Sequence, residues 1–449
     1  MRKFLIFIML AVFMTSCSSK EPNVIETEKE SKDDYPNPEI EKNPIVDYTK
    51  WEIKNGKFYL DGEWRFLKIA KPLTVTSNPP ECQEIIDEIP DLKKYYYNTV
   101  SIMCDYPNFD TDSDGVIDKS LEPLAKVIDA VYAAGMYPVL NFGSYTVGGG
   151  SLPDAFWERF PDAFAVNEQG QKVTDTEYGF GSKVVSIFHE GYRKAVHEFM
   201  KSVAKAVDTK KVLYIETTVE PQYMGTIKLC YSESARKEYN KWRAENNITD
   251  AASEMPTTFP IPDSFVRNET WNKFRAQFLA KWVNEDIEAW RSVAGPDAYA
   301  AVDYLDTSCD EMYLRCGDQV EFLTHLTEPN IIQVNWHWSL VNNAPNQAAY
   351  DKVHQVMKET GRDWAVSEHM TLNGSDFTNF NIDNVMLNTL YNGTRFGWEF
   401  TNYRYSTADS FTLYSDTGTP KRIMKKIDNY WGYWLHKIEE IENSHEYDW

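Results

Sequence analysis

From Trp51 onward, short apolar runs alternate with amphipathic stretches of helical period, the pattern of βαβ units and a parallel sheet. Eight runs read as strands: Arg65–Ala70, Thr99–Met103, Tyr137–Phe142, Val212–Val219, Ala298–Tyr304, Ile331–Trp336, Trp364–Ser367 and Phe396–Phe400. Between them, Leu121–Ala134 carries apolar residues at helical spacing and stops at Gly135. Gly191–Val207, Trp271–Val293, Ala349–Glu359 and Pro420–Ile438 repeat that pattern. A lead-in hairpin, Trp51 to Trp64, turns at Lys54-Asn55-Gly56-Lys57. One compositional regime with eight strands predicts a single α/β domain, a closed (β/α)8 barrel over residues 49–449. A doubly wound open sheet is the alternative, but no G-x-G-x-x-G follows the first strand.

The pattern breaks down before Trp51. Arg2 and Lys3 precede an apolar stretch, Phe4 to Met14, that is too short to span a bilayer. Met14-Thr15-Ser16-Cys17 resembles a lipobox, so residues 1–17 are expected to be a lipoprotein signal, with a plain secretory signal as the alternative. Cys17 would then carry the lipid and tether the protein to the membrane. Residues 18–48 hold nine acidic residues, four basic residues and four Pro, and are expected to form a flexible linker. Ser18-Ser19-Lys20-Glu21 resembles the signal that sends some Gram-negative lipoproteins to the outside of the outer membrane.

The formal net charge of −22 argues against nucleic acid as a partner, because no basic surface is available to meet phosphate. Aromatic residues make up 14% of the chain, with 14 Trp and 27 Tyr; they fit either a large core or a cleft that stacks on sugar rings. The six Cys form no C-x-x-C pair, so no zinc ribbon is expected.

In such barrels, chemistry sits where strands end. The fourth run ends Glu216-Thr217-Thr218-Val219-Glu220-Pro221, and the seventh ends Ser367-Glu368-His369. Two carboxyls, one protonated and one ionised, are what glycosidic bond cleavage needs. The alternative is that both carboxyls cap strands or pair with Arg. Glu216 and Glu220 are four apart and share a strand face; Glu216 lies deeper, so Glu220 is the preferred acid/base.

These positions carry a resemblance. Glu at the ends of strands four and seven is the signature of the clan A glycoside hydrolases, and Glu220-Pro221 looks like that clan's Asn-Glu-Pro, with Val219 in place of Asn. The chain more particularly resembles family 42, the β-galactosidase group. The similar segments are Phe156 to Ala163, Asn167 to Gly170, Ser186 to Arg193, Cys230 to Glu233 and Tyr239 to Trp242. Of the family's zinc cysteines only Cys230 has a counterpart; Ser232 and Ser234 stand in the neighbouring places. The resemblance implies a retaining mechanism with Glu220 as acid/base and Glu368 as nucleophile, and no cofactor for catalysis.

Trp398 is the expected sugar platform, with Asn141, Tyr145, Asp303 (or Asp306), Trp336 and His337 as further substrate contacts. Asp110, Asp112, Asp114 and Asp118, with Gly115, match a calcium loop, so a structural calcium is a candidate. An Asp-rich turn that caps the helix beginning near Ser120 is the alternative. The leading expectation is a retaining β-glycosidase acting on an oligo- or polysaccharide at the cell surface. A non-catalytic glycan-binding lipoprotein, which Val219 favours, and an endo-acting glucanase or mannanase are the other readings.

Overall fold

The computed structural model describes residues 31–40, 51–72, 76–112, 114–142, 152–175, 182–217, 221–223, 229–305, 310–335, 347–370, 382–401 and 422–444. Eight parallel strands close into a barrel in sequence order. They are β1 (Leu67–Lys71), β2 (Thr99–Met103), β3 (Tyr137–Asn141), β4 (Tyr214–Thr217), β5 (Ala300–Tyr304), β6 (Ile331–Asn335), β7 (Ala365–Met370) and β8 (Gly397–Thr401). The principal outer helices are α1 (Pro79–Lys94), α2 (Glu122–Ala133), α3 (Glu190–Ala206), α4 (Glu269–Ala294), α5 (Gln319–His325), α6 (Gln347–Thr360), α7 (Ile382–Tyr391) and α8 (Trp431–Ser444). The architecture is the (β/α)8 barrel that the alternation predicts.

Every expected strand is present, and Thr99–Met103 keeps its bounds. The seventh run extends three residues further, to Met370, and the stretch Pro420–Ile438 is two helices, Arg422–Asp428 and α8. Three helices lie outside the stretches read from the sequence: α1, which carries Pro90 inside it but buries Cys82, Ile85, Ile89 and Leu92 at helical spacing, the short α5, and the largely apolar α7.

All eight strands are buried on both faces, so alternation along them sorts the inside of the barrel from the helix layer rather than core from solvent. Leu67, Ile69, Tyr137, Val139, Tyr214, Ala301, Ile331 and Ala365 fill the lower interior. Phe58 and Leu60, from the hairpin formed by Trp51–Lys54 and Lys57–Leu60, plug it from below. Asn55 and Gly56 take positive φ in the tight turn, as the Asn-Gly pair predicts. Gly397 has a steric cause: a Cβ there would lie 2.6 Å from the carbonyl oxygen of Leu67 on the neighbouring strand.

Part of the expected linker is docked. The Lys32 ammonium lies 2.7 Å from Asp383 at the start of α7 and over the rings of Tyr433 and Trp434. Tyr35 stacks on His436, and Asn37 Oδ1 accepts from the Gly432 amide at 2.8 Å. Residues 31–40 are therefore a strap on the barrel, held by cation–π and hydrogen-bond contacts that composition does not reveal. Among the described residues no helix is long and apolar enough to cross a membrane.

Candidate active site

Above the apolar interior, the inner face becomes polar at the C-terminal ends of the strands. The inward positions are Lys71 on β1, Asn141 on β3, Glu216 on β4, Asp303 on β5, Asn335 on β6, His369 on β7, and Glu399 and Thr401 on β8, nearly all with no exposed surface. Adjacent strands supply them in register: Asn141 is paired with Glu216, His369 with Glu399, and Lys71 with Thr401.

Lys71 is the hub. Its ammonium donates to both Glu216 oxygens, at 2.8 and 3.1 Å, and to Glu399 Oε1 at 3.1 Å. His369 Nδ1 lies 2.6 Å from Glu399 Oε1, and its Nε2 lies 3.0 Å from Thr401 Oγ1. Asp303 Oδ2 is 3.9 Å from the same Nδ1, and Asn335 holds Asp303 at 3.4 and 3.5 Å. Glu399 Oε2 is buried with no hydrogen-bond partner among the described residues, and so are both amide atoms of Asn141.

The environment separates the two glutamates. Burial, then the charge of Glu399, push the Glu216 carboxyl up, and Lys71 only partly offsets this. Burial would also raise Glu399, but Lys71 and His369 outweigh it and hold that carboxyl low. Burial opposes the charge on His369, yet Asp303 and Glu399 raise its pKa overall. Asp105, just beyond β2, is pushed up to about 7 by burial despite the pull of Lys71. A carboxyl that keeps its proton and one that stays ionised, side by side, form an acid–base pair. One oxygen of Glu216, one of Glu399 and one His369 nitrogen lie within 4.8 Å of one another, close enough for a metal. The Lys71 ammonium already lies against both carboxylates, however, and is the cation of the cluster.

Two expected residues lie on the wrong side of the wall. Glu368 precedes the inward His369, so it faces the helices, where Tyr350 of α6 donates to its Oε2. It is fully buried, and burial pushes its carboxyl well above the usual range. Trp398, its register partner on β8, also points outward; it packs against Phe66, Trp431 and Trp434 and donates to Thr389 Oγ1 at 2.8 Å. Neither reaches the barrel mouth, so the expected nucleophile and sugar platform are both corrected. Asn141 and Asp303 do join the inner cluster. Glu220, Tyr145, Trp336, His337 and Cys17 lie outside the described residues.

Lys71, Glu216, His369 and Glu399 were not chosen from the sequence. Their signal is a charged residue inside an otherwise apolar strand, as in Gly397-Trp398-Glu399-Phe400.

The Asp-rich loop gathers Asp110, Asp112 and Asp118, but not Asp114, within 4.8 Å of one another. Its carboxylates are engaged by the loop itself: Gly115 N donates to Asp110 at 2.9 Å, Val116 N to Asp114 at 2.7 Å, and Thr111 N to Asp118 at 2.6 Å. A one-turn helix, Tyr106–Phe109, stands between β2 and this loop, and Ser120 Oγ accepts from Glu122 N at the start of α2. Elsewhere, Cys230, Ser186, Ser232 and Ser234 converge, with Cys230 Sγ 3.2 Å from Ser232 Oγ and the two neighbouring serine hydroxyls 2.9 Å apart. Cys82, Cys104, Cys230 and Cys316 are free thiols; Cys309 lies outside the described residues.

A barrel with inward carboxyls at its C-terminal end is an architecture shared by glycoside hydrolases. Residues 113–259 match the model of glycoside hydrolase family 42, beta-galactosidase. That span contains the five segments that carried the resemblance to family 42, together with Glu216 and Glu220, but not Glu368, Lys71, His369 or Glu399. In three dimensions the chain is similar to the beta-galactosidase of the psychrophilic Marinomonas ef1, with a TM-score of 0.62 and 13% identity, over 84% of this chain and 60% of that one. It is similar to a catalytic mutant of Gan42B, a family 42 beta-galactosidase of G. stearothermophilus, with a TM-score of 0.61 and 14% identity, over 85% of this chain and 58% of that one. It is also similar to the catalytic domain of a Paenibacillus polymyxa beta-amylase, with a TM-score of 0.59 and 12% identity, over 81% of this chain and 97% of that one. The chain thus spans about three fifths of the two beta-galactosidases. No curated protein matches it in sequence.

Proposed function

We propose that the protein is a retaining β-glycosidase acting on an oligo- or polysaccharide, with Glu399 as the ionised carboxylate and Glu216 as the acid. The observation that carries this reading is the opposite displacement of two adjacent inward glutamates at the functional end of the barrel. Glu216 would protonate the leaving oxygen while Glu399 Oε2 bonds to the anomeric carbon. Water, giving its proton back to Glu216, would then release the sugar. One oxygen of each carboxyl lies within 4.8 Å of the other's, a close approach that favours double displacement over inversion, whose carboxyls stand about 6.5–9.5 Å apart. Glu220 is the alternative acid. A galactoside is the substrate that the family match favours, and Cys17 would tether the enzyme at the outer-membrane surface.

The test is hydrolysis of a panel of aryl β-glycosides by the full chain beside Glu399→Gln, Glu216→Gln and Glu220→Gln. Turnover lost in Glu399→Gln, with azide restoring a glycosyl azide in a Glu399→Ala enzyme, is the expected result. Loss in Glu220→Gln but not in Glu216→Gln moves the acid role up the strand. Glycan binding without turnover in the wild type would instead establish the non-catalytic reading, which Val219 and the outward Glu368 favour.

A further inference from the structure

We propose that Lys71 and His369 are positioning residues that decide which of the two glutamates keeps the proton. The kinetic part of this inference rests on the hydrolase reading above; the ionisation part does not.

The argument starts from an inventory of charge. The groups facing the cluster are Lys71 from β1, Asp105 beyond β2, Tyr214 and Glu216 from β4, Asp303 from β5, His369 from β7 and Glu399 from β8. Asn141 and Asn335 complete the ring without charge. One ammonium touches two carboxylates, Glu216 and Glu399, in a space closed to solvent. One positive charge cannot stabilise two buried negative ones, so one carboxyl tends to retain a proton.

The tie is broken by geometry. His369 sits on the Glu399 side, with Nδ1 2.6 Å from Glu399 Oε1, and Thr401 stands at the other ring nitrogen, so a protonated imidazole places its charge against the Glu399 carboxylate. On the Glu216 side only Lys71 makes direct contact; a His369 nitrogen lies within 4.8 Å of a Glu216 oxygen and acts on that carboxyl less than Lys71 does. Glu399 is therefore held ionised by two cations in direct contact, and Glu216 touches only one of them. Asp303, behind His369, keeps the imidazole charged. The roles are thus assigned by β1 and β7, strands that bear neither carboxyl.

The experiment uses the full chain and the variants Lys71→Met, Lys71→Arg and His369→Gln, each checked for folding by thermal melt. Carboxyl carbons are labelled with [δ-13C]glutamate, and the Glu399 signal is assigned by its loss in Glu399→Gln. In the wild type that signal stays in its ionised position well below pH 4.5. In Lys71→Met and His369→Gln its midpoint moves up by about one to three pH units, and Lys71→Arg keeps the wild-type midpoint. Ionised Glu399 is needed for attack, so the acid limb of the kcat/KM profile moves to higher pH in step. An unchanged Glu399 midpoint in a folded Lys71→Met or His369→Gln protein overturns the proposal. Should Lys71→Met fail to fold, His369→Gln decides alone, because Lys71 still neutralises the site. Absence of hydrolysis in the wild type would remove the enzyme reading and leave the carboxyl titration to judge the inference.

Discussion

Strand β1 carries two buried lysines three residues apart, one on each side of the barrel wall, and they meet opposite circumstances. Lys68 points outward and is matched one to one: its ammonium lies 2.5 Å from Asp428 and over the rings of Tyr97 and Trp431. Burial there outweighs Asp428, and the lysine pKa is lowered. Lys71 points inward and is outnumbered by carboxylates; burial opposes its charge, but Glu216, Glu399 and Asp303 raise its pKa. The outer face satisfies its charges in a closed pair, as a structural contact does. Among the described residues the inner face leaves a surplus of carboxyls over cations, as a site for proton transfer requires.

Glu368 and Glu399 extend the comparison. Both are fully buried glutamates near the ends of neighbouring strands, but Glu399 faces the inner cations, which hold its carboxyl low, and Glu368 faces the helix layer, where burial pushes its carboxyl up. The largest effect that would sharpen it is kinetic. Glu399→Gln is expected to lose about 10^2- to 10^4-fold in kcat/KM, while Glu368→Gln stays within a few-fold of wild type. The reverse order, measured on one aryl glycoside, would return the nucleophile to β7.

A stability effect of similar size is expected on the outer face. Lys68→Met strands the Asp428 charge in the helix layer and should cost about 3–5 kcal/mol in denaturant unfolding. Adding Asp428→Leu should recover most of that loss, and no recovery would mean that the pair is not matched one to one. Trp398→Ala, which opens a cavity beside Trp434 and removes the bond to Thr389, should cost about 3–5 kcal/mol with KM unchanged for a bound glycoside. A large rise in KM at preserved stability would place Trp398 in the sugar site after all.

The smallest effect is in pH. The folded Glu368 pKa lies above its unfolded value, so the folded chain binds the extra proton. Its contribution to stability is fully present below the unfolded pKa, near the ordinary value of 4.5, and is lost as pH rises toward the folded one. Glu368→Gln is expected to melt like the wild type near pH 4.5 and progressively above it toward pH 8. Parallel melting curves across that range would show that the raised pKa is not felt by the fold.

The eight strands, their order and the barrel class follow from sequence alone, because alternation of short apolar runs with helical stretches leaves few other closed arrangements. The sequence also chose Asn141 and Asp303, which the barrel brings into the inner cluster, whereas its preferred acid, Glu220, lies outside the described residues. It could not settle which face of β7 and β8 looks inward. In a half-exposed strand, polar residues mark the wet side; here both faces are buried, so Glu368-His369 and Trp398-Glu399 read equally well in either phase, and a shift of one residue exchanges the faces. The same holds for the strap at residues 31–40, whose composition is that of a linker and whose contacts arise only once α7 and α8 present Asp383 and an aromatic surface. Closure of the barrel decided these points, because only the closed wall fixes which side chains share an interior and how many charges must balance within it.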